Sequence, residues 1–358
     1  GISLFLAPKR LVGEDGRLGE ANTLRPAGLE HKLGIHASPT CIMLFEGARA
    51  ELVGRANEGL AHMFTMMNAA RLNVGAEGVG VAERAYQGAL DYARERRQGR
   101  SAWTPQADAS LLDLPDVRRM LMLMRAKVVA GRGICLDTAL ASDVVRAQAA
   151  DPAARARARR REEWLTPVAK AWCTDMGVEV ASLAVQVAGG MGYMEETGLA
   201  QHYRDARIAP IYEGANGVQA IDLAGRKLAL DGGAAFREWL EDVESAAAAC
   251  AGDLAPLGDA LRSAAAACAG AGDWMCERRG SPDALAGATV FLRLVGDVAG
   301  GAVHARRALL ARTAPEHASR AGEAALLARF YAAQVLAAAP GLAVSVVAGA
   351  GPLEAWAA

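Results

Sequence analysis

The chain has 358 residues, enough for two or three domains with a sizeable core, and its formal net charge of -1 gives no global pull toward nucleic acid or an anionic membrane. Six cysteines without C-x-x-C spacing and six histidines without an H-x-x-x-H pair disfavour a metal site, and they read as reduced thiols in a cytoplasm. No apolar run of membrane-spanning length is evident, so partners have to be argued from local features.

Residues 1–53 have a β-and-turn texture: ISLFLAP, a Gly- and Asp-rich turn, then short apolar runs around Pro39. They read as the last strands of a larger β domain, with an apolar run at the very start that suggests a missing N-terminal part. From Asn57 the period changes. Leu60, Met63, Phe64, Met67, Leu72, Val74 and Val79 recur at helical spacing, and no proline follows until Pro105. A helix of roughly forty residues is expected.

Asp113 and Pro115 are start signals for a second helix to about residue 145. Residues 146–163, RAQAADPAARARARRREE, read as a solvated helix end and loop. A third helix is expected from Pro167 to Val187, stopped by the Gly189-Gly190-Met191-Gly192-Tyr193 breaker. A fourth starts near Glu213 and ends at Asp231-Gly232-Gly233, which completes an up-and-down bundle over residues 54–232. Ala-rich helices over 235–250, 254–278, 282–312 and 318–338 follow as a helical extension spanning residues 233–358. Trp274, Phe291, Phe330, Tyr331 and Trp356 are its expected packing residues.

Glu213 stands out because an acid follows the apolar pair Ile211-Tyr212 and precedes the small residues Gly214 and Ala215. Apolar neighbours suit a general base, since desolvation favours the protonated form. The competing reading is an acid in a first helical turn, facing the positive end of the helix dipole.

Four motifs, KLGIHASPT (32–40), YARERRQGR (92–100), QVAGGMGY (186–193) and RDARIAPIYEGANGVQ (204–219), occur in the order found in the acyl-CoA dehydrogenases. The chain resembles that family from Gly1 to about Leu230, with an extension like that of its 3-methylmercaptopropionyl-CoA dehydrogenase-like branch. The resemblance implies a mainly α fold: the end of a β domain, the family's four-helix bundle, and an extra helical domain.

It further implies FAD as cofactor, a short acyl-CoA thioester as substrate, an electron-transfer flavoprotein as acceptor, and a homodimer or homotetramer. By the same resemblance Glu213 is the base that takes the α-proton while hydride passes from Cβ to flavin N5. Tyr212, Gly214, Arg71, Asn68 and Met67 line the substrate site. Arg96, Gln98, Gln186, Gly189, Gly190, Ala215 and Asn216 meet the cofactor. Some relatives carry the base on the first bundle helix; Ala70 stands there and cannot serve.

One departure weakens the cofactor set. Most relatives have Thr at the position of Ala215, and Asn216 is the neighbouring candidate to replace that hydroxyl. Two other activities stay open at this point: a flavin- and DNA-binding alkylation-response relative, supported only by the Arg-rich 146–163 segment, and an acyl-CoA oxidase.

Overall fold

The structure is a computed structural model that describes residues 1–105, 107–147 and 151–356. It divides into two compact units, residues 1–70 and residues 71–358. In the first unit three antiparallel two-stranded ribbons pair β1 (Leu4–Leu6) with β6 (Glu51–Val53), β2 (Arg10–Val12) with β3 (Leu18–Ala21), and β4 (Leu24–Leu29) with β5 (Cys41–Phe45). Short ribbons are marginal alone, and here Asn22 ties their connections together. Its buried amide donates to Pro8 O (2.9 Å) and Arg49 O (2.8 Å) and accepts from the Thr23 and Arg49 amides. Phe5, Leu6, Val12, Leu18 and Phe45 leave apolar strand faces exposed.

Helix α1 (Gly59–Glu95) and helix α2 (Pro115–Arg146, with Pro115 as first residue) follow the expected period closely. Helix α3 departs from expectation: it runs from Pro152 to Ala188, so it starts well before Pro167 and takes Pro167 into its interior. The Asp151 carboxylate caps it by accepting from Ala153 N at 2.8 Å, and Pro152 occupies the first turn, where a missing N–H costs nothing.

The arginines read as a solvated helix end and loop therefore lie inside α3 from its first turns. Arg157 and Arg161 pair with Asp242, Arg161 also with Asp137 (2.6 Å), and Arg160 with Glu238 (2.6 Å). Of that segment, residues 148–150 lie outside the described residues.

The expected fourth helix is also broken up. Helix α4 (Leu199–Ala206) is followed by an irregular loop, and helix α5 (Asn216–Asp222) then widens into a π turn at Leu223–Lys227. The extension comprises α6 (Ala234–Ala248), α7 (Ala255–Glu277), α8 (Pro282–Thr313), α9 (Ala321–Gln334), α10 (Ala339–Val346) and the short α11 (Gly351–Glu354). By length and composition α8 could cross a bilayer, contrary to the sequence expectation, but its apolar stretch is 72% buried inside the helical unit. Phe291 and Tyr331 are fully buried as expected, whereas Trp356 is 75% exposed and packs no core.

Two glycines set how closely α1 meets α3. A Cβ at Gly75 would lie 2.5 Å from Ala169 O, and one at Gly78 would lie 2.6 Å from Cys173 O. Both obstacles are backbone, which cannot swing aside. A helical Gly→Ala change gains about 1 kcal/mol of propensity, but overpacking of this kind costs about 1–3 kcal/mol or more. Gly78→Ala is thus expected to lower stability, while Gly80→Ala on the same helix, with nothing within 4 Å of the new methyl, should raise it by about 0.5–1 kcal/mol. Denaturant midpoints of the two variants moving in the same direction would refute this packing argument.

Candidate active site

The close approach of α1 and α3 brings Arg71 and Glu77 of α1 toward Lys170, Thr174 and Asp175 of α3. The loop between α4 and α5 carries Tyr212, Glu213 and Gly214 into the same neighbourhood. Glu213 is not in a first helical turn. It sits at φ 55°, and Gly214 follows at φ 89°. For a residue with a Cβ this left-handed conformation costs about 1 kcal/mol or more, so the surroundings must hold it.

Several bonds do so. Asn216 N donates to Pro210 O at 2.9 Å and closes the loop across Glu213, and Tyr212 N donates to Ile208 O at 3.2 Å. Lys170 Nζ donates to Ala209 O at 2.9 Å and to Asn216 Oδ1 at 2.8 Å, so one buried ammonium grips both ends of the loop. Tyr212 donates its phenol proton in a short hydrogen bond to the Glu77 carboxylate. Burial first, and then that bond and the two nearby carboxylates Glu77 and Glu213, push the Tyr212 phenol well above its ordinary range.

Gly214 is required for close approach as well as for its φ. A Cβ there would come within 2.7 Å of Gln219 Nε2 and 3.7 Å of Arg71 Nη2. Arg71 and Gln219 are both buried.

Lys170 has no place in the sequence reading, yet it is fully buried. Desolvation lowers its ammonium to about 8; Asp175 opposes that shift most strongly, Arg71 reinforces it, and Glu213 and Glu77 also oppose it. The only sequence signal was a single lysine inside the apolar run PVAKAWC. Below pH 8 native and unfolded chains both hold the proton and the full cost of burial is present. Between about 8 and the ordinary 10.5 only the unfolded chain holds it, so this group's contribution to stability rises with pH. Denaturant unfolding between pH 7.5 and 10 should therefore show wild type gaining on Lys170→Met as the pH rises; a difference that stays constant would contradict this assignment.

The remaining expected site residues are distributed as follows. Met67 and Asn68 lie on α1 within the unit of residues 1–70. Arg96 and Gln98 are exposed just beyond the end of α1, where Arg96 O and Gln98 N bond the backbone of Leu111 and Ala109. Gln186 is exposed in the last turn of α3, and Gly189 caps that helix at φ 59°. A Cβ at Gly189 or Gly190 would meet nothing within 4 Å, so the backbone there is open to an approaching phosphate. Exposed guanidinium, amide and glycine backbone N–H are each donors of a kind that phosphate oxygens accept.

Asn216 does not fit that set. Its Nδ2 donates to Ala171 O (3.1 Å), Thr174 Oγ1 (3.0 Å) and Asp175 Oδ1 (2.8 Å), while its Oδ1 is taken by Lys170. The amide is used within the bundle and does not stand in for a hydroxyl at Ala215, which is itself exposed.

The profile described as acyl-CoA dehydrogenase, C-terminal domain, matches residues 57–228, and one described as acetyl-CoA dehydrogenase C-terminal like matches residues 238–356. The 3-methylmercaptopropionyl-CoA dehydrogenase of Ruegeria pomeroyi is 46% identical over 311 residues, which is 84% of this chain and 52% of the relative. The chain belongs to the acyl-CoA dehydrogenase family. A butyryl-CoA dehydrogenase of Syntrophomonas wolfei is 34% identical over 68% of this chain and 41% of the relative. The chain thus spans about half the length of these curated relatives.

Among solved structures, ACDH-11 of Caenorhabditis elegans in complex with C11-CoA superposes with a TM-score of 0.75 at 23% identity, over 93% of this chain and 53% of that one. An acyl-CoA dehydrogenase of Bacillus anthracis complexed with FAD gives 0.74 at 19% identity, over 93% and 59%. Both establish the fold: a family helical bundle followed by a helical extension, with few strands.

Proposed function

We propose that the protein carries out the FAD-dependent α,β-dehydrogenation of a short-chain acyl-CoA to the trans-2-enoyl-CoA, with Glu213 as the base for the α-proton. The observation that carries this reading is a carboxylate carried on a left-handed turn between Tyr212 and Gly214, in a loop whose two ends are bonded by a buried ammonium, in a chain of this family. Carboxylates are competent general bases when fixed within reach of the proton, and the turn fixes this one. Tyr212, Gly214, Arg71, Asn68 and Met67 are assigned to the thioester and its pantetheine arm.

Arg96, Gln98, Gln186, Gly189 and Gly190 would hold FAD. When bound, the flavin supplies the acceptor for the Cβ hydride. Glu213 takes the α-proton, and its own backbone N–H is assigned to the thioester carbonyl, where charge develops. An electron-transfer flavoprotein is the proposed electron acceptor, and a homodimer or homotetramer is the proposed assembly.

The DNA-binding alternative rested on the arginine-rich start of α3, where Arg157, Arg160 and Arg161 are already paired with carboxylates of the same chain. Anaerobic bleaching of the flavin band by a panel of acyl-CoAs tests the reading. The panel begins with 3-methylthiopropionyl-CoA, because the 46% relative carries that name, and includes butyryl-CoA and longer chains. A flavin that no thioester bleaches would refute it. Rapid peroxide formation without an added acceptor would instead identify an oxidase.

A further inference from the structure

The mechanism above uses the base and its immediate neighbours but leaves out Glu77, a half-buried carboxylate on α1 whose charge, like that of Glu213, acts on Lys170. Glu77 accepts the phenol proton of Tyr212, the residue immediately before Glu213. The loop has no regular secondary structure between α4 and α5, and its side chains from 211 to 215 are Ile, Tyr, Glu, Gly and Ala. Tyr212 is thus the side chain by which this stretch grips α1.

Loss of that anchor would free the loop backbone at Tyr212 to shift against α1, and the adjoining Glu213 carboxylate would move with it. We propose that Glu77 is a positioning residue, which fixes the Glu213 carboxylate by anchoring the Tyr212 phenol to α1. This inference rests on the reading of Glu213 as the base. It is distinct from the role of Lys170, which bonds Ala209 O and Asn216 Oδ1 at the ends of the loop. A base displaced by about 1 Å is enough to lose on the order of a hundredfold in rate.

The charged groups that act on the phenol are Glu77 from α1 and Glu213 from the loop itself. Of these, Glu77 is the one that accepts the phenol proton.

The test uses three variants of the full-length, flavin-loaded enzyme. Glu77→Ala removes the acceptor and should lower kcat by about 10- to 100-fold with little change in KM. Glu77→Gln retains an acceptor oxygen and should restore most of kcat. Tyr212→Phe should resemble Glu77→Ala.

An ultraviolet tyrosinate titration of the flavin-free chain gives a readout that needs no turnover. Subtracting the Tyr212→Phe curve isolates the Tyr212 phenol. It should be a late-ionising group in wild type and should ionise at distinctly lower pH in Glu77→Ala. A phenol titration unmoved by Glu77→Ala, or an unchanged kcat in that variant, would overturn the inference. Wild-type enzyme that turns over no thioester would instead refute the proposed function, and the phenol titration would still decide whether Glu77 anchors Tyr212. Should Glu77→Ala fail to fold, Glu77→Gln and Tyr212→Phe carry the same comparison. An unchanged kcat in Tyr212→Phe then overturns it.

Discussion

Replacing Glu213 by Gln should leave the flavin bound and the fold intact while cutting the rate of flavin reduction by acyl-CoA by about 10^3-fold or more. The size follows from what the substitution removes. A carboxamide has the shape of the carboxylate but cannot accept a proton at neutral pH, and loss of a positioned general base costs about 10^2–10^4 in rate. The backbone geometry does not depend on the charge, because φ 55° at Glu213 is held by the Asn216 N–H to Pro210 bond and the Lys170 clamp, neither of which involves the Glu213 side chain.

Glu213→Gly is the informative companion. Glycine enters the left-handed region without penalty, so this variant should match or exceed wild-type thermal stability while being as inactive as Glu213→Gln. Rapid-mixing measurement of flavin bleaching, with the oxidised flavin spectrum as the control for binding, checks the first variant; calorimetry checks the second. A Glu213→Gln protein that bleaches at the wild-type rate would remove Glu213 from the mechanism and direct attention to Glu77, the carboxylate bonded to Tyr212.

What could be read from the sequence tracks how local each determinant is. Helices α1 and α2 were legible because an apolar repeat and a proline at the first turn act within a few residues. The start of α3 was not. Its arginines look like a solvent run, and of the carboxylates that neutralise them Glu238 and Asp242 lie 78 to 85 residues further along the chain and Asp137 24 residues before Arg161.

Pro167 misled for a related reason. An interior proline normally ends a helix at a cost of about 3 kcal/mol. Here the surrounding Trp164, Leu165, Val168 and Ala169 are buried, and the packing of that helix face outweighs the lost bond. The family motif singles out Glu213, but its left-handed turn was not legible, since its fixing partners sit on α3 and α5. Lys170 was missed because an isolated lysine in an apolar run carries no pattern, and only the folded loop shows what its ammonium binds.

The second large effect expected is on stability, from Trp164→Ala. Trp164 lies on α3 in the bundle and is fully buried. Its partners are on the extension: the ring centroid is 5.1 Å from that of Phe236 and 5.7 Å from that of Trp239, and Phe236 in turn meets Phe291 edge-on at 6.2 Å. Truncating a buried Trp of this kind costs about 3–5 kcal/mol. That is a large fraction of the whole stability of a typical domain.

The location makes the prediction more than a core truncation. Trp172 of α3 reaches the extension in the same way, donating from Nε1 to Asp297 Oδ1 at 2.9 Å, and Tyr331 on α9 donates to Asp297 O at 3.0 Å. If bundle and extension share one core across these contacts, Trp164→Ala should lower a single unfolding transition reported both by tryptophan fluorescence and by far-ultraviolet circular dichroism. Two separated transitions, with only one shifted, would mean that residues 71–358 unfold as two bodies. The double variant Trp164→Ala with Trp239→Ala sharpens the comparison, since residues in contact should lose less together than the sum of their separate losses. Additive losses would show that the seam between α3 and α6 contributes no coupling, and the extension would then be a separate domain that merely follows the bundle in the chain.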